Sequence, residues 1–156
     1  MNKEELRALY KQIRLRMSPS EVSSKSRMAG RQLLVDIDWG KYKTICAYEP
    51  IGRLNEVDVK PVLNRLQSQP DLKIHILGQS KDAEITTAKF DLVLVPVLAF
   101  DKDNYRLGWG GGFYDRFLAN QPQTLKIGLC YQDGLVEQGL PHEPHDVPLD
   151  RIITEI

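Results

Sequence analysis

The sequence has few cysteines and no excess of either charge. Only two of its 156 residues are cysteines, Cys46 and Cys130, and each lies within an apolar stretch. This usage is typical of buried thiols in a reducing compartment and offers no framework for disulfides. Lysine and arginine together number 21, as do aspartate and glutamate. The balance removes any general attraction to nucleic acid or to anionic membranes, so we expect neither as a partner.

Long hydrophobic runs are also missing. No segment approaches the roughly 18 consecutive apolar residues of a membrane-spanning helix. The stretch MNKEELRALYKQ lacks the apolar centre of a signal peptide. We therefore expect a cytoplasmic protein.

Several familiar catalytic patterns do not occur. Because there is no Gly-x-Ser-x-Gly, His-Glu-x-x-His or Cys-x-x-Cys sequence, hydrolase and zinc-protease functions have no starting point. His142 and His145 are spaced like a metal-binding pair, but Pro144 between them disfavours a helix and no further ligand cluster completes a zinc site. His75 lies in an apolar run and is expected to pack in the core.

Apolar runs alternate with helical patterns along the chain. The predicted strands are KTICAYEP, LKIHILG, FDLVLVPVLAF, LKIGLCY and LDRIITE. Helices are predicted at residues 3–17, from Ser18 to about Val35, in VDVKPVLNRLQ and in FYDRFLANQ. This alternation predicts an α/β protein, a three-layer sandwich with a mostly parallel central sheet. At this length we expect one domain, residues 1–156, and a monomer.

The first predicted helix has a basic stripe. Lys3, Arg7, Lys11 and Arg14 follow one another along the helix, beside an apolar stripe. Like charges at this spacing repel by about 0.2–0.5 kcal/mol per pair. The stripe therefore either faces solvent or meets a counter-charge, in the protein or in a ligand.

Charge is also divided unevenly between the two ends of the chain. Residues 1–31 hold eight basic and three acidic residues, whereas residues 132–156 hold one basic and six acidic residues. The two ends are electrostatically complementary. Among the late carboxylates, Asp146 and Asp150 could complete a magnesium site or could cap a loop.

The stretch RLGWGGGFYDRFLANQ places four glycines between Arg106 and Asp115. A glycine loop between a strand and a helix can bind phosphate with its backbone N–H groups, although a tight turn would use glycine as well. No Gly-Lys-Ser or Gly-Lys-Thr follows, and Phe113 replaces the third glycine of a dinucleotide-binding loop. Arg106 could bind a phosphoryl group. Asp115 could bind Mg²⁺ or could complement the helix dipole.

Four segments together resemble one known family. They are KEELR near the start, NEVDV after a strand, LVPVLAFDKDNYRLGWGGGFYDRFL and HDVPLDRIITE. In this order they resemble the 5-formyltetrahydrofolate cyclo-ligases, also called 5,10-methenyltetrahydrofolate synthetases. The segment Pro96–Leu118 is specific to the family, whereas the other three segments indicate the family only in combination.

The resemblance implies a fold and a reaction. The fold would be the α/β sandwich of ribose-5-phosphate isomerase and the coenzyme A transferases. The enzyme would use ATP and Mg²⁺ to convert 5-formyltetrahydrofolate into 5,10-methenyltetrahydrofolate, ADP and phosphate. The formyl oxygen would attack the γ-phosphate to give an iminium phosphate, which the nitrogen at position 10 of the folate would then close. Such phosphoryl transfer needs positioning and charge neutralisation more than a protein nucleophile.

The resemblance also implies roles for individual residues. Those implied for ATP are Lys3, Arg7, Arg106, Leu107, Gly108, Trp109, Gly110, Gly111, Gly112, Phe113 and Tyr114. Asp115 and Asp146 are implied as Mg²⁺ ligands, with Arg106 and Asp115 taking part in catalysis. Folate contacts are implied for Glu56, Tyr48 and Trp109.

One region departs from the family pattern. Members generally have a longer segment between the NEVDV region and the FDLVLVP strand, and residues 66–90 are short by comparison. Because that segment helps to wall the folate site, a non-catalytic nucleotide- or folate-binding relative is the alternative function. An RNA-binding protein that uses the basic first helix is a third, opposed by the neutral net charge.

Overall fold

The computed structural model describes residues 1–77 and 88–156. Its helices are α1 (Lys3–Leu15), α2 (Pro19–Asp36), α3 (Lys60–Leu66) and α4 (Phe113–Ala119). Its strands are β1 (Thr44–Tyr48), β2 (Lys73–Leu77), β3 (Leu92–Pro96), β4 (Ala99–Phe100), β5 (Arg106–Leu107), β6 (Leu125–Leu129) and β7 (Arg151–Ile153). Short 3₁₀ turns lie at Trp39–Lys41, Gly52–Leu54 and Gln132–Gly134.

The central sheet has five parallel strands in the order β2-β1-β3-β6-β7. Because β2 lies on one side of β1 and β3 on the other, the strand order reverses between β1 and β3. In open parallel sheets such a switch point opens a crevice at the carboxyl ends of the strands, where ligands bind. A separate antiparallel pair, β4 and β5, follows β3.

Helices cover both faces of this sheet. One apolar cluster joins α2 and α3 to alternate residues of β1, β3 and β6, including Leu33, Val62, Ile45 and Leu94. A second cluster on the opposite face joins α4 to the residues in between, including Phe117, Cys46 and Val93. The predicted three-layer sandwich with a mostly parallel sheet is therefore confirmed.

Helix α1 packs outside these layers, over the β4–β5 pair. Leu6 forms a third apolar cluster with Ala99, Leu107, Val136 and Leu140. The helix begins with a capping box, in which Asn2 accepts the N–H of Glu5 and Glu5 accepts the N–H of Asn2.

The basic stripe of α1 does not form a solvated face. Arg14 is 4% exposed and donates to the carbonyl oxygens of Val97 and Leu98 at 2.7 and 3.2 Å. The counter-charge therefore comes partly from backbone dipoles, which the sequence pattern could not identify. The helix ends at Leu15, two residues before the predicted end.

Two other local predictions are wrong. The apolar run FDLVLVPVLAF forms two strands in different sheets, because the chain leaves β3 after Pro96 and pairs with β5 from Ala99. His75 is exposed, and its ring centre lies 5.3 Å from that of Phe90 in an edge-type arrangement, since β2 is an edge strand whose alternate residues face solvent.

The remaining predictions concern thiols, membrane spans and the middle segment. Cys46 and Cys130 are both buried and free, as predicted. Within the described ranges, the helices lack the combination of length and apolar character that crossing a membrane requires. Of the short segment 66–90, residues 78–87 lie outside the described residues, as does the last residue of the predicted strand LKIHILG.

Candidate active site

A cavity of about 620 Å³ opens at the carboxyl ends of β1, β2 and β3. Glu49 and Ile51 follow β1 at its wall, while Leu77 and Pro96 are the last residues of β2 and β3. The cavity therefore lies where the strand order reverses, which is the position that the parallel topology favours for a ligand.

Nearly all residues of the predicted site line this cavity. They are Lys3, Arg7, Tyr48, Glu56, Arg106, Gly108, Trp109, Gly110, Gly111, Gly112, Phe113, Tyr114, Asp115 and Asp146. Leu107 is the exception, because its side chain is buried beside Leu6 in the third apolar cluster. Its place in the site is therefore limited to its backbone.

The glycine loop reaches its shape through two residues with positive φ. Gly110 has φ 123° and Gly112, the residue before α4, has φ 68°. L-residues rarely adopt these angles, so a side chain at either position would strain the loop. The bare backbone leaves room for a ligand to approach closely, as a phosphate-binding loop requires.

The β4–β5 turn sets the position of Arg106. Asp101 Oδ1 accepts the N–H groups of Asp103 and Tyr105 at 3.0 and 3.1 Å, and Oδ2 accepts that of Leu140 at 2.9 Å. Arg106 then pairs with Phe100 across the antiparallel ladder. No motif in the sequence indicates this role of Asp101, because its hydrogen bonds form only in the folded chain.

The Arg106 guanidinium is a buried cation. Its side chain is 5% exposed, and Nη2 lies 3.2 Å from Asp115 Oδ1. Desolvation lowers the pKa of Arg106, and the negative charge of Asp115 opposes that effect. The Nε atom is buried without a hydrogen-bond partner in residues 1–77 and 88–156. Because an unpaired buried donor is costly, this atom indicates an acceptor supplied by a ligand.

A second ion pair joins the two ends of the chain. Lys3 Nζ lies 2.6 Å from Asp146 Oδ2, and the Asp146 side chain is 9% exposed. Burial alone would raise the pKa of Asp146, but the hydrogen bonds from Lys3 and from the N–H of Glu143 bring it below its ordinary value. Asp150 has a different role, because its Oδ2 accepts the N–H of Lys126 at 2.7 Å as a loop cap.

Helix α1 also contacts the glycine loop directly. Arg7 Nε donates to the carbonyl oxygen of Gly108 at 3.3 Å, and Lys11 Nζ lies 5.6 Å from the centre of the Trp109 ring. The indole Nε1 of Trp109 is a second buried donor without a partner in the described part of the chain. One side of the cavity thus presents several positive or donor groups.

Glu56 adds an acidic group to the cavity lining. This residue is 6% exposed, and its Oε1 accepts the N–H of Ile51 at 2.7 Å. Burial raises the pKa of Glu56, while the Ile51 hydrogen bond and the charge of Arg14 lower it in part. Tyr48 donates its hydroxyl to the carbonyl oxygen of Val57 at 2.7 Å and lines the cavity as a buried residue.

The two carboxylates predicted to bind a metal ion, Asp115 and Asp146, both line this cavity, as do Glu49 and Glu56. No group of three or more His, Cys, Asp or Glu side chains in residues 1–77 and 88–156 could hold a metal. Asp115 and Asp146 nevertheless suit Mg²⁺, which commonly takes one or two carboxylates and completes its shell with substrate phosphates and water. His142 stacks on Tyr105 with ring centres 3.8 Å apart, and His145 lies 3.6 Å from Asp146.

Sequence reasoning missed part of the cavity wall. The residues concerned are Glu49, Ile51, Leu54, Leu77, Pro96 and His145. Three of them, Glu49, Leu77 and Pro96, belong to the ends of β1, β2 and β3 or follow them directly. Because ligands bind beside the carboxyl ends of parallel strands, the ends of the predicted strands indicate these positions.

Comparison with known proteins places the chain in a family. The sequence model of the 5-formyltetrahydrofolate cyclo-ligase family matches residues 63–155. Over 170 residues the chain is 32% identical to the 5-formyltetrahydrofolate cyclo-ligase of Mycoplasma pneumoniae, an alignment that covers 99% of each chain. The chain belongs to the 5-formyltetrahydrofolate cyclo-ligase family. The sequence-based assignment to this family of ligases is thereby confirmed.

Solved structures of cyclo-ligase family members share the fold. The 5,10-methenyltetrahydrofolate synthetase of Mycoplasma pneumoniae superposes with a TM-score of 0.82 at 29% identity, and the match covers all of both chains. The synthetase of Aquifex aeolicus gives a TM-score of 0.78 at 26% identity, covering 99% of this chain and 90% of the other. Family members therefore share nearly the whole architecture of this chain.

Proposed function

We propose that this chain converts 5-formyltetrahydrofolate into 5,10-methenyltetrahydrofolate with consumption of ATP and release of ADP and phosphate. The main support is that one cavity brings together the buried guanidinium of Arg106, the glycine loop and the buried carboxylate of Glu56. Family membership favours this reaction over any other that the cavity could perform.

ATP would bind along the positive side of the cavity. Lys3, Arg7 and Arg106 would contact its phosphates, and the backbone N–H groups of residues 107–114 would complete the cradle. The Nε of Arg106 would then gain the acceptor that residues 1–77 and 88–156 do not supply. Preorganised donors of this kind stabilise charge that develops during phosphoryl transfer.

Asp115 and Asp146 would hold Mg²⁺ together with the phosphates. The ion would neutralise part of the phosphate charge. Asp115 and Asp146 would supply only two protein ligands, so the metal is expected to bind well only when nucleotide completes its ligand shell. In the protein, Asp146 is paired with Lys3 and Asp115 with Arg106. When metal and nucleotide bind, the carboxylates would pair with the metal instead, and the two cations would pair with the phosphates.

The folate would occupy the end of the cavity formed by Glu56 and Tyr48. The Glu56 carboxylate would accept hydrogen bonds from N–H groups of the pterin, and the Tyr48 ring would pack against it. The formyl oxygen attacks the γ-phosphorus, ADP leaves, and the formyl carbon becomes an iminium phosphate. The nitrogen at position 10 then bonds to that carbon and loses its proton as inorganic phosphate leaves.

A spectrophotometric assay tests the proposal. Purified protein is mixed with 5-formyltetrahydrofolate, Mg²⁺ and ATP, and the near-ultraviolet absorbance of the methenyl product is followed. We expect a rise only when ATP is present, and a loss of at least about a hundredfold in kcat/KM for Asp115→Asn. ATP binding without product would identify a non-catalytic relative, and full activity of Asp115→Asn would refute the assigned role of this carboxylate.

A further inference from the structure

Arg14 is a buried charge that does not line the cavity. It is 4% exposed and pairs with no carboxylate in the described residues. Its Nη2 donates instead to the carbonyl oxygens of Val97 and Leu98, at 2.7 and 3.2 Å, immediately after the end of β3. A guanidinium is costly to bury, so its retention calls for a role beyond filling space.

The backbone of the same residue holds a second segment. Asn55 Nδ2 donates to the carbonyl oxygens of Arg14 and Met17 at 2.9 and 3.3 Å. Asn55 has φ 55°, a left-handed conformation that Asn tolerates better than most residues. It directly precedes Glu56 in the chain. Arg14 thus joins the chain after β3, through its side chain, to the turn that carries Glu56, through its backbone.

Tyr131 contacts both Asn55 and Arg14. Its hydroxyl donates to the carbonyl oxygen of Asn55 at 2.9 Å, and its ring centre lies 4.8 Å from Cζ of Arg14. Arg14 and Tyr131 therefore both hold Asn55 while contacting each other. Such a closed set of polar contacts leaves the Glu56 turn little freedom to shift relative to α1.

The charge of Arg14 also acts on Glu56. Burial disfavours the ionised form of the Glu56 carboxyl, and the positive charge of Arg14 lowers its pKa in the opposite direction. Arg14 thereby supports the form of Glu56 that accepts hydrogen bonds. This electrostatic effect adds to the geometric one.

We propose that Arg14 is a positioning residue for the folate half of the site, holding Glu56 at a fixed place relative to the α1 residues that would bind ATP. The inference rests on the proposed function. Helix α1 presents Lys3 and Arg7 to the cavity near its start. Near its end, Arg14 fixes the turn that bears Glu56. One helix would therefore set the distance between nucleotide and folate.

The test compares Arg14→Met and Arg14→Lys with the unaltered protein. Arg16→Met serves as the control, since Arg16 is an exposed arginine near the same end of α1. Arg14→Met keeps the backbone carbonyl that Asn55 binds, but it removes the guanidinium that packs on Tyr131 and whose charge acts on Glu56. We therefore expect it to raise KM for 5-formyltetrahydrofolate about tenfold and to leave KM for ATP within about twofold. Arg14→Lys retains the charge, so its KM for 5-formyltetrahydrofolate should lie between those of the unaltered protein and Arg14→Met. Arg16→Met should leave both KM values unchanged.

Two outcomes would overturn the positioning role. Unchanged KM for folate in Arg14→Met would do so, and so would parallel rises in both KM values, which indicate a general structural defect. If Arg14→Met does not fold, Asn55→Gly replaces it, because glycine accepts the positive φ but lacks the amide that binds α1. A raised folate KM in Asn55→Gly supports the proposal, and an unchanged one refutes it.

The same assay separates this inference from the function on which it rests. Absence of turnover in the unaltered protein would refute the proposed function and the inference with it. Turnover in the unaltered protein with a normal folate KM in both Arg14→Met and Asn55→Gly would refute the inference alone.

Discussion

Lys3 and Arg106 each neutralise a carboxylate that we assign to the metal. Lys3 lies 2.6 Å from Asp146, and Arg106 lies 3.2 Å from Asp115. A metal ion that arrives alone must compete with both cations and would leave Arg106 buried without its counter-charge. We therefore expect the proposed site to bind metal and nucleotide together more readily than either one alone.

Removing Lys3 tests this competition. In Lys3→Gln the Asp146 carboxylate loses its cation, so we expect Mn²⁺, used as a paramagnetic probe, to bind the nucleotide-free protein about tenfold more tightly. ATP affinity should fall by a similar factor, because a phosphate ligand is lost. Electron paramagnetic resonance and calorimetry measure the two effects. Lys25→Gln is the control, since Lys25 pairs with Asp133 and Glu155 away from the cavity. Unchanged Mn²⁺ affinity in Lys3→Gln would contradict the competition.

Among the elements, β6 is closely packed around Gly128. A Cβ placed there would lie 2.6 Å from Leu149 Cδ1, 2.7 Å from Ile152 Cδ1 and 2.9 Å from Val97 Cγ2. Gly128→Ala should therefore lower the free energy of unfolding by about 1–3 kcal/mol through overpacking. Gly52→Ala is the matched control, because nothing lies within 4 Å of its Cβ position. Urea unfolding measures both, and equal stabilities would contradict the packing.

Asp91 joins the amino ends of β1 and β3. Its Oδ2 accepts the N–H groups of Lys43 and Thr44 at 2.8 and 3.1 Å, and these bonds lower the pKa of Asp91 below its ordinary 3.8. A carboxyl with a lowered folded-state pKa stabilises the fold above its ordinary pKa and loses that contribution as pH falls through the folded value.

We therefore expect Asp91→Asn to be less stable than the unaltered protein near neutral pH, by about 1 kcal/mol. The difference in unfolding free energy between the two proteins should narrow as the pH falls below 3.8 and through the lower pKa of the native carboxyl, where that group becomes protonated. Urea unfolding at several pH values gives the difference. A gap that is independent of pH would show that the charge of Asp91 contributes nothing.

Most elements could be predicted because their signals are local. Alternation of apolar runs and helical stripes located the central strands and the helices, and Ser18 with Glu21 forms the capping box that their spacing favours. The break after Pro96 could not be predicted, since Val97 and Leu98 stay apolar while being covered by other elements. His75 was misplaced because edge position depends on strand order.

Some residues of the candidate site could likewise be predicted from a local pattern, and others could not. Arg106, the glycines and Asp115 lie in one segment, so their pattern is visible along the chain. Glu49 and Leu77 reach the cavity from separate strands, and only the sheet order brings them together. The burial of Arg14 depends on carbonyl groups more than eighty residues away, so a charge pattern within α1 could not reveal it.

For the whole molecule, the complementary charges predicted for the two ends do meet. Lys3 pairs with Asp146, and Lys25 lies 3.7 Å from Glu155. In both pairs the carboxylate side chain is less than 10% exposed and the lysine is partly buried, so neither is a freely solvated surface pair. Their common effect is to hold α1 and α2 against segments that follow β6.

Ligand binding should stabilise the entire fold, because the proposed ATP site joins α1, the glycine loop and the segment around Asp146. A non-hydrolysable ATP analogue with Mg²⁺, at a hundred times its Kd, should add about 2.7 kcal/mol to the free energy of unfolding and raise Tm accordingly. Asp115→Asn should abolish most of this shift, whereas Asp133→Asn, outside the cavity, should retain it. Differential scanning calorimetry decides between them, and an equal shift in both variants would contradict the assignment.

The pairing of Lys3 with Asp146 has a consequence for biosynthesis. The two residues are 143 positions apart, so a ribosome needs about 7 to 30 s to travel from one codon to the other. Just before that point the nascent chain has the basic helix and the glycine loop but still lacks Asp146, which would complete the proposed site. An unfinished chain should therefore neither retain ATP nor hydrolyse it, and premature termination would yield products without nucleotide-consuming activity.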